Sequence, residues 1–215
     1  MIKLVIFDMD GTLLDTLQDL ADSTNYVLRQ HGYPEHPQEA YRYFVGNGSR
    51  ILIERALPPE ARNTETIEAL HNEYIPYYEA HKEAHTAPYP GIIPLLQELK
   101  KRGILIAIAS NKIEETMYPL TEYYFPNISF AAVMGSLAGR PIKPNPAMVE
   151  AILEKTGIAK SETLYVGDTG VDMQTAANAG LFKVGVLWGF RTLEELQQAG
   201  ADAIIAEPME LLNLL

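Results

Sequence analysis

A chain of 215 residues, 47% hydrophobic and 21% charged, is long enough to bury one large core or a core plus a smaller second unit. Its formal net charge of -11 works against nucleic-acid and anionic-membrane partners, because an acidic surface repels polyanions at long range. Cysteine is absent, which removes disulfides, thiolate nucleophiles and cysteine-based zinc sites together and fits a reducing, cytoplasmic compartment.

The first apolar run, IKLVIF, meets charge too soon to be a signal-peptide core and is far short of a membrane span, so it reads as a buried strand of a cytoplasmic protein with no membrane partner. From about Thr16 to Ala87 no comparable β-rich run occurs, and Leu17, Leu20, Ala21, Val27 and Leu28 recur with helical spacing. This stretch is expected to be an all-helical insertion over residues 16–87. HTAPYPG, with Pro88 and Pro90, then returns as an extended crossing, so that Asp15 and Ala87 would flank a hinge. Further on, GILIAIAS, ETLYVGD, FKVGVLW and ADAIIA read as strands, and helical stripes lie between them at Ile92, Leu95, Leu96 and Leu99 and at Met148, Ala151 and Ile152. Pro146 sits where a helix can begin, and Thr192 with Glu195 forms a capping signal. Strand alternating with helix predicts an α/β fold, a Rossmann-like doubly wound parallel sheet built from residues 1–15 and 88–215.

Ligands of such a sheet gather at the carboxyl ends of its strands. The first strand delivers Asp8 and Asp10, the second Ser110 and Asn111, and the third Asp168 with Asp172 a helical turn later; IKPNP places Lys143 in a loop just before. Two like charges ~4 Å apart cost on the order of 4 kcal/mol at an effective dielectric of 20, so clustered aspartates call for a cation. Mg²⁺ suits them, being a hard ion that takes oxygen ligands, whereas zinc would want cysteine or converging histidine. Taken singly, each of these motifs reads as turn, cap or solvated-surface chemistry; their weight comes from convergence.

In order, D-M-D-G-T, S-N, K-P-N-P and G-D-T-G-V-D resemble the four motifs of the haloacid dehalogenase-like hydrolases, and the resemblance extends over the whole chain, including a helical cap after the first motif. It implies Mg²⁺-dependent phosphoryl transfer from a small phosphorylated metabolite through an aspartyl phosphate. Asp8 would be the nucleophile and Asp10 the proton shuttle. Asp8, Asp168 and the Asp10 carbonyl would hold the metal, with Asp172 supporting it through water or orienting Lys143. Lys143, Ser110, Asn111 and backbone N–H groups after Asp8, with Gly11 and Thr12, would grip the phosphate.

VGNGSRILIERAL followed by APYPG is similar to the phosphoglycolate phosphatases of that family, with Asn47 and Arg50, or Arg42, in place to meet a substrate carboxylate. A sugar phosphomutase or a pyrophosphatase of the same superfamily is the alternative within enzymes, and a non-catalytic phospho-aspartate signalling module the alternative outside them. A dehalogenase would lack Asp10, and a phosphonate hydrolase would need a cap lysine better placed than Lys82. His81 and His85 in EAHKEAHT read as a solvated helix face rather than a metal site, because the order H-E-x-x-H is missing. Tyr74, Tyr77, Tyr78, Tyr118, Tyr123 and Tyr124 read as packing residues or a subunit contact, and the chain as a monomer or homodimer.

Overall fold

A strand that is apolar at every position has to be covered on both faces, and Leu4, Val5, Ile6 and Phe7 are all buried. The computed structural model, which describes residues 1–215, runs from β1 (Leu4–Phe7) through β2 (Leu14–Asp15) into four helices, α1 (Leu17–Gln30), α2 (Gln38–Phe44), α3 (Ser49–Ala56) and α4 (Thr64–His81). It returns through β3 (Ala87–Pro88) to α5 (Ile92–Lys101), β4 (Leu105–Ile113), α6 (Glu114–Tyr124), β5 (Ala132–Ser136) and α7 (Ala147–Thr156). β6 (Thr163–Gly167), α8 (Gly170–Ala179), β7 (Phe182–Val186), α9 (Leu193–Gln198) and β8 (Ala203–Ile205) complete it. Two compact units result, one of residues 1–14 and 88–215, the other of residues 15–87.

In the first unit six parallel strands lie in the order β5-β4-β1-β6-β7-β8. β1 is central, its residues Leu4 to Phe7 pairing with Leu105 to Ile108 on one side and Thr163 to Val166 on the other. Side chains alternate across the sheet. Val5 and Phe7 therefore join Ile92, Leu95, Leu96 and Leu99 of α5 and Met117 and Leu120 of α6, while Leu4 and Ile6 join Met148 and Ile152 of α7 and Ala176 and Ala179 of α8. The reversal of strand order on either side of β1 opens a crevice at the carboxyl ends of β4, β1 and β6, the place where open α/β sheets bind ligands.

One strand of the six-stranded sheet was not expected. AAVMGS forms the edge strand β5 beside β4. Its alanines and its glycine have weak strand preference, and pairing to β4 overrides that preference. Gly135 is needed there for space: a Cβ would collide with the backbone of Glu114.

The second unit is entirely helical. The predicted stripe of α1 is buried in full, with Leu17, Leu20, Ala21, Val27 and Leu28 at 5% exposure or less. α4 ends at His81, so His85 lies beyond the helix and does not share a face with it. The tyrosines divide: Tyr74 and Tyr78 are buried and stacked, whereas Tyr118 and Tyr123, in the first unit, are 46% and 65% exposed.

Asp19, in the first turn of α1, is buried and accepts hydrogen bonds from the His85 N–H (2.9 Å), the Thr86 N–H (2.9 Å) and the Thr86 hydroxyl (2.8 Å). A buried carboxylate is tolerable only with donors of this kind. It ties the start of the unit to its end. Asp19→Ala would leave those donors unpaired, at a cost of about 3 kcal/mol. Thermal denaturation should show Tm lower by roughly 6–12 °C, on the scale of 2–4 °C per kcal/mol for a chain of this size; an unchanged Tm would contradict the tie.

Candidate active site

Asp8 leaves the carboxyl end of β1 with its Oδ1 accepting from the Met9 N–H at 2.7 Å. The turn that follows is closed on itself: the Gly11 N–H donates to Leu14 O (2.9 Å) and the Thr12 N–H to Met9 O (3.3 Å). These two amides, expected to face a phosphate, are spent in the turn, and Thr12 contributes its side chain instead, Oγ1 donating to Asp168 Oδ1 at 3.0 Å. Gly11 adopts φ 82°, and a Cβ there would overlap the Asp168 carboxylate, so glycine is required by conformation and by space alike.

Asp168 follows the carboxyl end of β6 and is fully buried. Its Oδ2 accepts from the Phe190 N–H at 2.8 Å, in a loop that also sends the Trp188 indole N–H to Thr12 O (3.0 Å). Asp172 sits one turn into α8 and, with Thr169, forms its capping box, Oδ2 accepting from the Thr169 N–H (3.0 Å) and hydroxyl (2.6 Å). Its Oδ1 accepts from Lys143 Nζ at 2.7 Å and from the Tyr165 hydroxyl at 3.3 Å.

Lys143 is 2% exposed and its Nζ also lies 3.0 Å from Asp8 Oδ1. Asn111 fixes the backbone beneath it, accepting from the Lys143 N–H at 2.8 Å and donating to Lys143 O at 3.1 Å. Asn111 thus acts through Lys143, as a clamp on the loop that presents the ammonium. The loop has a second anchor, because Arg140 pairs with Glu114 and donates to Gly135 O at 2.8 Å. Ser110 hydrogen-bonds the Asp8 carboxyl.

The side chains of Asp8, Ser110, Lys143, Asp168 and Asp172 thereby meet, although 164 positions separate the first from the last (172 − 8). Asp10 meets a group that the sequence reading did not single out. Lys112 Nζ lies 3.1 Å and 3.3 Å from its two carboxylate oxygens, and Lys112 is 9% exposed. A signal for it existed: Lys112 stands two residues after Ser110, the spacing that puts two side chains on one side of a strand. Tyr165, buried against Lys143 and Asp172, was likewise missed, hidden in an apolar strand pattern. Asn47 and Arg50 belong to the helical unit, where Asn47 accepts from Arg55 at 2.8 Å and Arg50 pairs with Glu68. Arg42 pairs there with Glu39 at 2.8 Å.

Electrostatics follow from burial. Asp8 is pushed up to about 7, chiefly by burial, with Lys143 opposing and Asp172 reinforcing. Burial, with Asp172 and Asp8 nearby, pushes Asp168 up to about 8. For Lys143 burial favours the neutral amine, but the charges of Asp172 and Asp8 outweigh it and hold the ammonium well above the usual lysine range. Carboxylates therefore outnumber the ammonium in this pocket. Oxygen atoms of Asp8, Asp168 and Asp172 lie within 4.8 Å of one another, a hard all-oxygen donor set of the kind that suits Mg²⁺. Asp172 already serves Lys143 and the α8 cap through both oxygens, which leaves Asp8 and Asp168 as the side chains better able to hold an ion and Asp172 as the orienter of Lys143.

The family model described as haloacid dehalogenase-like hydrolase matches residues 5–186. The chain belongs to that family. A phosphoglycolate phosphatase of Pseudomonas putida is 34% identical over 191 residues, 87% of this chain and 70% of the relative. One from Vibrio parahaemolyticus is 33% identical over 220 residues, 99% and 96% of the two chains. Among solved structures, a candidate phosphoglycolate phosphatase from Lactobacillus delbrueckii subsp. bulgaricus superposes with TM-score 0.91 at 32% identity, covering 97% of this chain and 96% of its own. A haloacid dehalogenase-like family hydrolase from Streptococcus pneumoniae gives TM-score 0.89 at 25% identity over 99% and 98%. The Rossmann-like α/β fold expected from the strand pattern is the fold of this family. No helix of the haloacid dehalogenase-like chain is long and apolar enough to cross a membrane.

The raised carboxyls set the sign of a pH effect. Asp8 and Asp168 hold protons in the folded chain up to about 7 and about 8, whereas the unfolded chain loses them near 3.8. The folded state thus binds more protons between these limits, and stability falls as pH rises through them. In chelator, Tm should decline from about pH 5 to about pH 8, and millimolar Mg²⁺ should raise Tm more at the higher pH by binding the ionised form. A Mg²⁺ increment independent of pH would contradict the assignment of these carboxyls to the cation.

Proposed function

We propose that this haloacid dehalogenase-like hydrolase is a Mg²⁺-dependent phosphoric monoester hydrolase acting through an aspartyl phosphate, with 2-phosphoglycolate as substrate. The observation that carries the reading is the buried placement of Asp8 beside the Lys143 ammonium, 3.0 Å away, with Asp168 near enough to share a cation. The names of the relatives direct the choice of substrate.

Asp8 attacks phosphorus, the bond to the leaving oxygen breaks, and the phosphoryl group is carried on the Asp8 carboxyl, so that one difficult displacement becomes two easier ones. Asp10 gives a proton to the departing alkoxide. It then takes one from the water that attacks the aspartyl phosphate, releasing inorganic phosphate and restoring Asp8. Lys143 offsets the charge of the transferring group from a fixed position held by Asp172 and by Asn111. Ser110, hydrogen-bonded to Asp8, would bind a phosphoryl oxygen. Mg²⁺ held by Asp8 and Asp168, with the Asp10 carbonyl, would neutralise phosphate charge and let the Asp8 carboxylate stay ionised.

By residue chemistry alone, the amide of Asn47 and the guanidinium of Arg50 are the partners proposed for the carboxylate of the glycolate group. Arg50 would exchange its present partner Glu68 for that carboxylate. An exposed ion pair contributes only about 0–1 kcal/mol, so the exchange is cheap. The absence of cysteine fits a reducing, cytoplasmic setting.

A phosphate-release screen over 2-phosphoglycolate, hexose phosphates, pyrophosphate and nucleotides tests the reading. It should show Mg²⁺-dependent release, greatest from 2-phosphoglycolate, abolished by chelator and lowered on the order of 10⁴-fold or more in Asp8→Asn, which lacks the nucleophile. Turnover in chelator, or near wild-type turnover by that variant, would refute it. Arg50→Ala should raise KM for 2-phosphoglycolate by about tenfold, the loss of about 1.4 kcal/mol of binding, without raising KM for p-nitrophenyl phosphate. Equal changes for both esters would remove Arg50 from the carboxylate.

A further inference from the structure

β1 and β4 run parallel, and their paired register ends at Phe7 and Ile108. Just beyond it each segment carries two functional groups two residues apart: Asp8 and Asp10 on one, Ser110 and Lys112 on the other. The pairs meet in order. Ser110 hydrogen-bonds Asp8, and Lys112 Nζ bridges both oxygens of Asp10 at 3.1 Å and 3.3 Å. The ammonium and the carboxylate are largely out of solvent, with side-chain exposures of 5% and 13%.

A surface lysine of this length samples many rotamers and holds a partner weakly. Here burial removes that freedom. Lys112 belongs to a long strand whose pairing to β5 shifts register between Ala109 and Ile113, so its backbone is fixed on both sides of the site. Asp10, by contrast, lies in the turn after β1, its backbone in an isolated bridge with Leu14 outside the sheet, so the direction of its carboxyl is set by what that group touches. Lys112 is the group in contact with it that carries the opposite charge.

We infer that Lys112 is a positioning residue for the proposed phosphomonoesterase reaction, fixing the orientation of the Asp10 carboxyl so that its proton reaches the leaving oxygen. Lys112 itself does not touch the phosphoryl group. This inference rests on the functional reading above. As the bond from phosphorus to the ester oxygen breaks, the electron pair stays on that oxygen and the Asp10 carboxyl proton moves to it. An alkoxide leaving group needs that proton, whereas 2,4-dinitrophenolate leaves without it. Misplacing Asp10 must therefore slow alkyl esters more than activated aryl esters.

The experiment compares kcat and KM for 2-phosphoglycolate and 2,4-dinitrophenyl phosphate with Mg²⁺ present, in the wild type, Lys112→Met, Lys112→Gln and Lys112→Arg. For Lys112→Met the ratio of alkyl to aryl kcat should fall at least tenfold, within the 10²–10⁴-fold that a positioned general acid supplies. KM for 2-phosphoglycolate and the inhibition constant of inorganic phosphate should change by less than about threefold, because the phosphate grip is intact. Lys112→Arg keeps the charge and a two-point contact and should recover most of the ratio. Lys112→Gln should repeat the loss if methionine disturbs folding. Combined with Asp10→Asn, Lys112→Met should alter the ratio by less than about twofold, since both changes remove one function.

Equal loss on both esters in Lys112→Met and Lys112→Gln would make Lys112 merely structural and overturn the inference. A tenfold weaker inhibition by inorganic phosphate would place Lys112 on the phosphoryl oxygens and overturn it as well. If the wild type hydrolyses both esters and the ratio does not move, this inference alone fails. If the wild type hydrolyses neither, the functional reading fails and takes the inference with it.

Discussion

A lysine ammonium 2.7 Å from Asp172 and 3.0 Å from Asp8, 2% exposed, is the constraint on which the arrangement of the site depends. Removing such a charge from water costs several kcal/mol, and the cost is met only where geometry is good and every remaining donor finds an acceptor. The surrounding structure meets that condition from several directions. Tyr165 supplies a hydroxyl, Asp172 turns one oxygen to the ammonium and the other to the α8 cap, and Asn111 fixes the Lys143 backbone from below. Because Asp172 serves the cap and the lysine at once, the start of a helix and the charge of the pocket are one structural unit.

The charge balance explains why the pocket invites a cation. Lys143 compensates Asp172 and part of Asp8, Lys112 compensates Asp10, and Asp168 is left with neutral donors, the Thr12 hydroxyl and the Phe190 N–H. An excess of buried carboxylate is then relieved by protonation, by a metal ion or by both. Glycine makes the crowding possible. Side-chain atoms at Gly11, Gly167 or Gly189 would occupy the space of Asp168 or Asp172, so the acids are packed against bare backbone. That closeness shortens the distances among charges and raises what each is worth.

The helical unit obeys a simpler rule. Its stability comes from an apolar face on α1 and from one buried acid, Asp19, which holds residues 85 and 86 beside the start of that helix. Two of its arginines are engaged by nearby acids, Arg42 by Glu39 and Arg50 by Glu68. Exposed pairs of this type contribute only about 0–1 kcal/mol each.

Sequence alone determined the elements whose signal is local. Unbroken apolar runs gave strands buried on both faces, helical stripes gave the helices around them, and Asp8, Ser110, Lys143, Asp168 and Asp172 were legible because the residue type and the strand end were both visible. Tertiary structure decided what depends on neighbours distant in the chain. β5 exists because β4 pairs with it, although AAVMGS has little strand preference of its own. Asn111 clamps Lys143, and the Gly11 and Thr12 amides close their own turn, because hydrogen-bond partners are set by packing rather than by residue type. Lys112 was not singled out, because a charged side chain in a strand ordinarily faces solvent; only the adjacency of two parallel strands brings it to Asp10, and no pattern within either strand encodes that the other lies beside it.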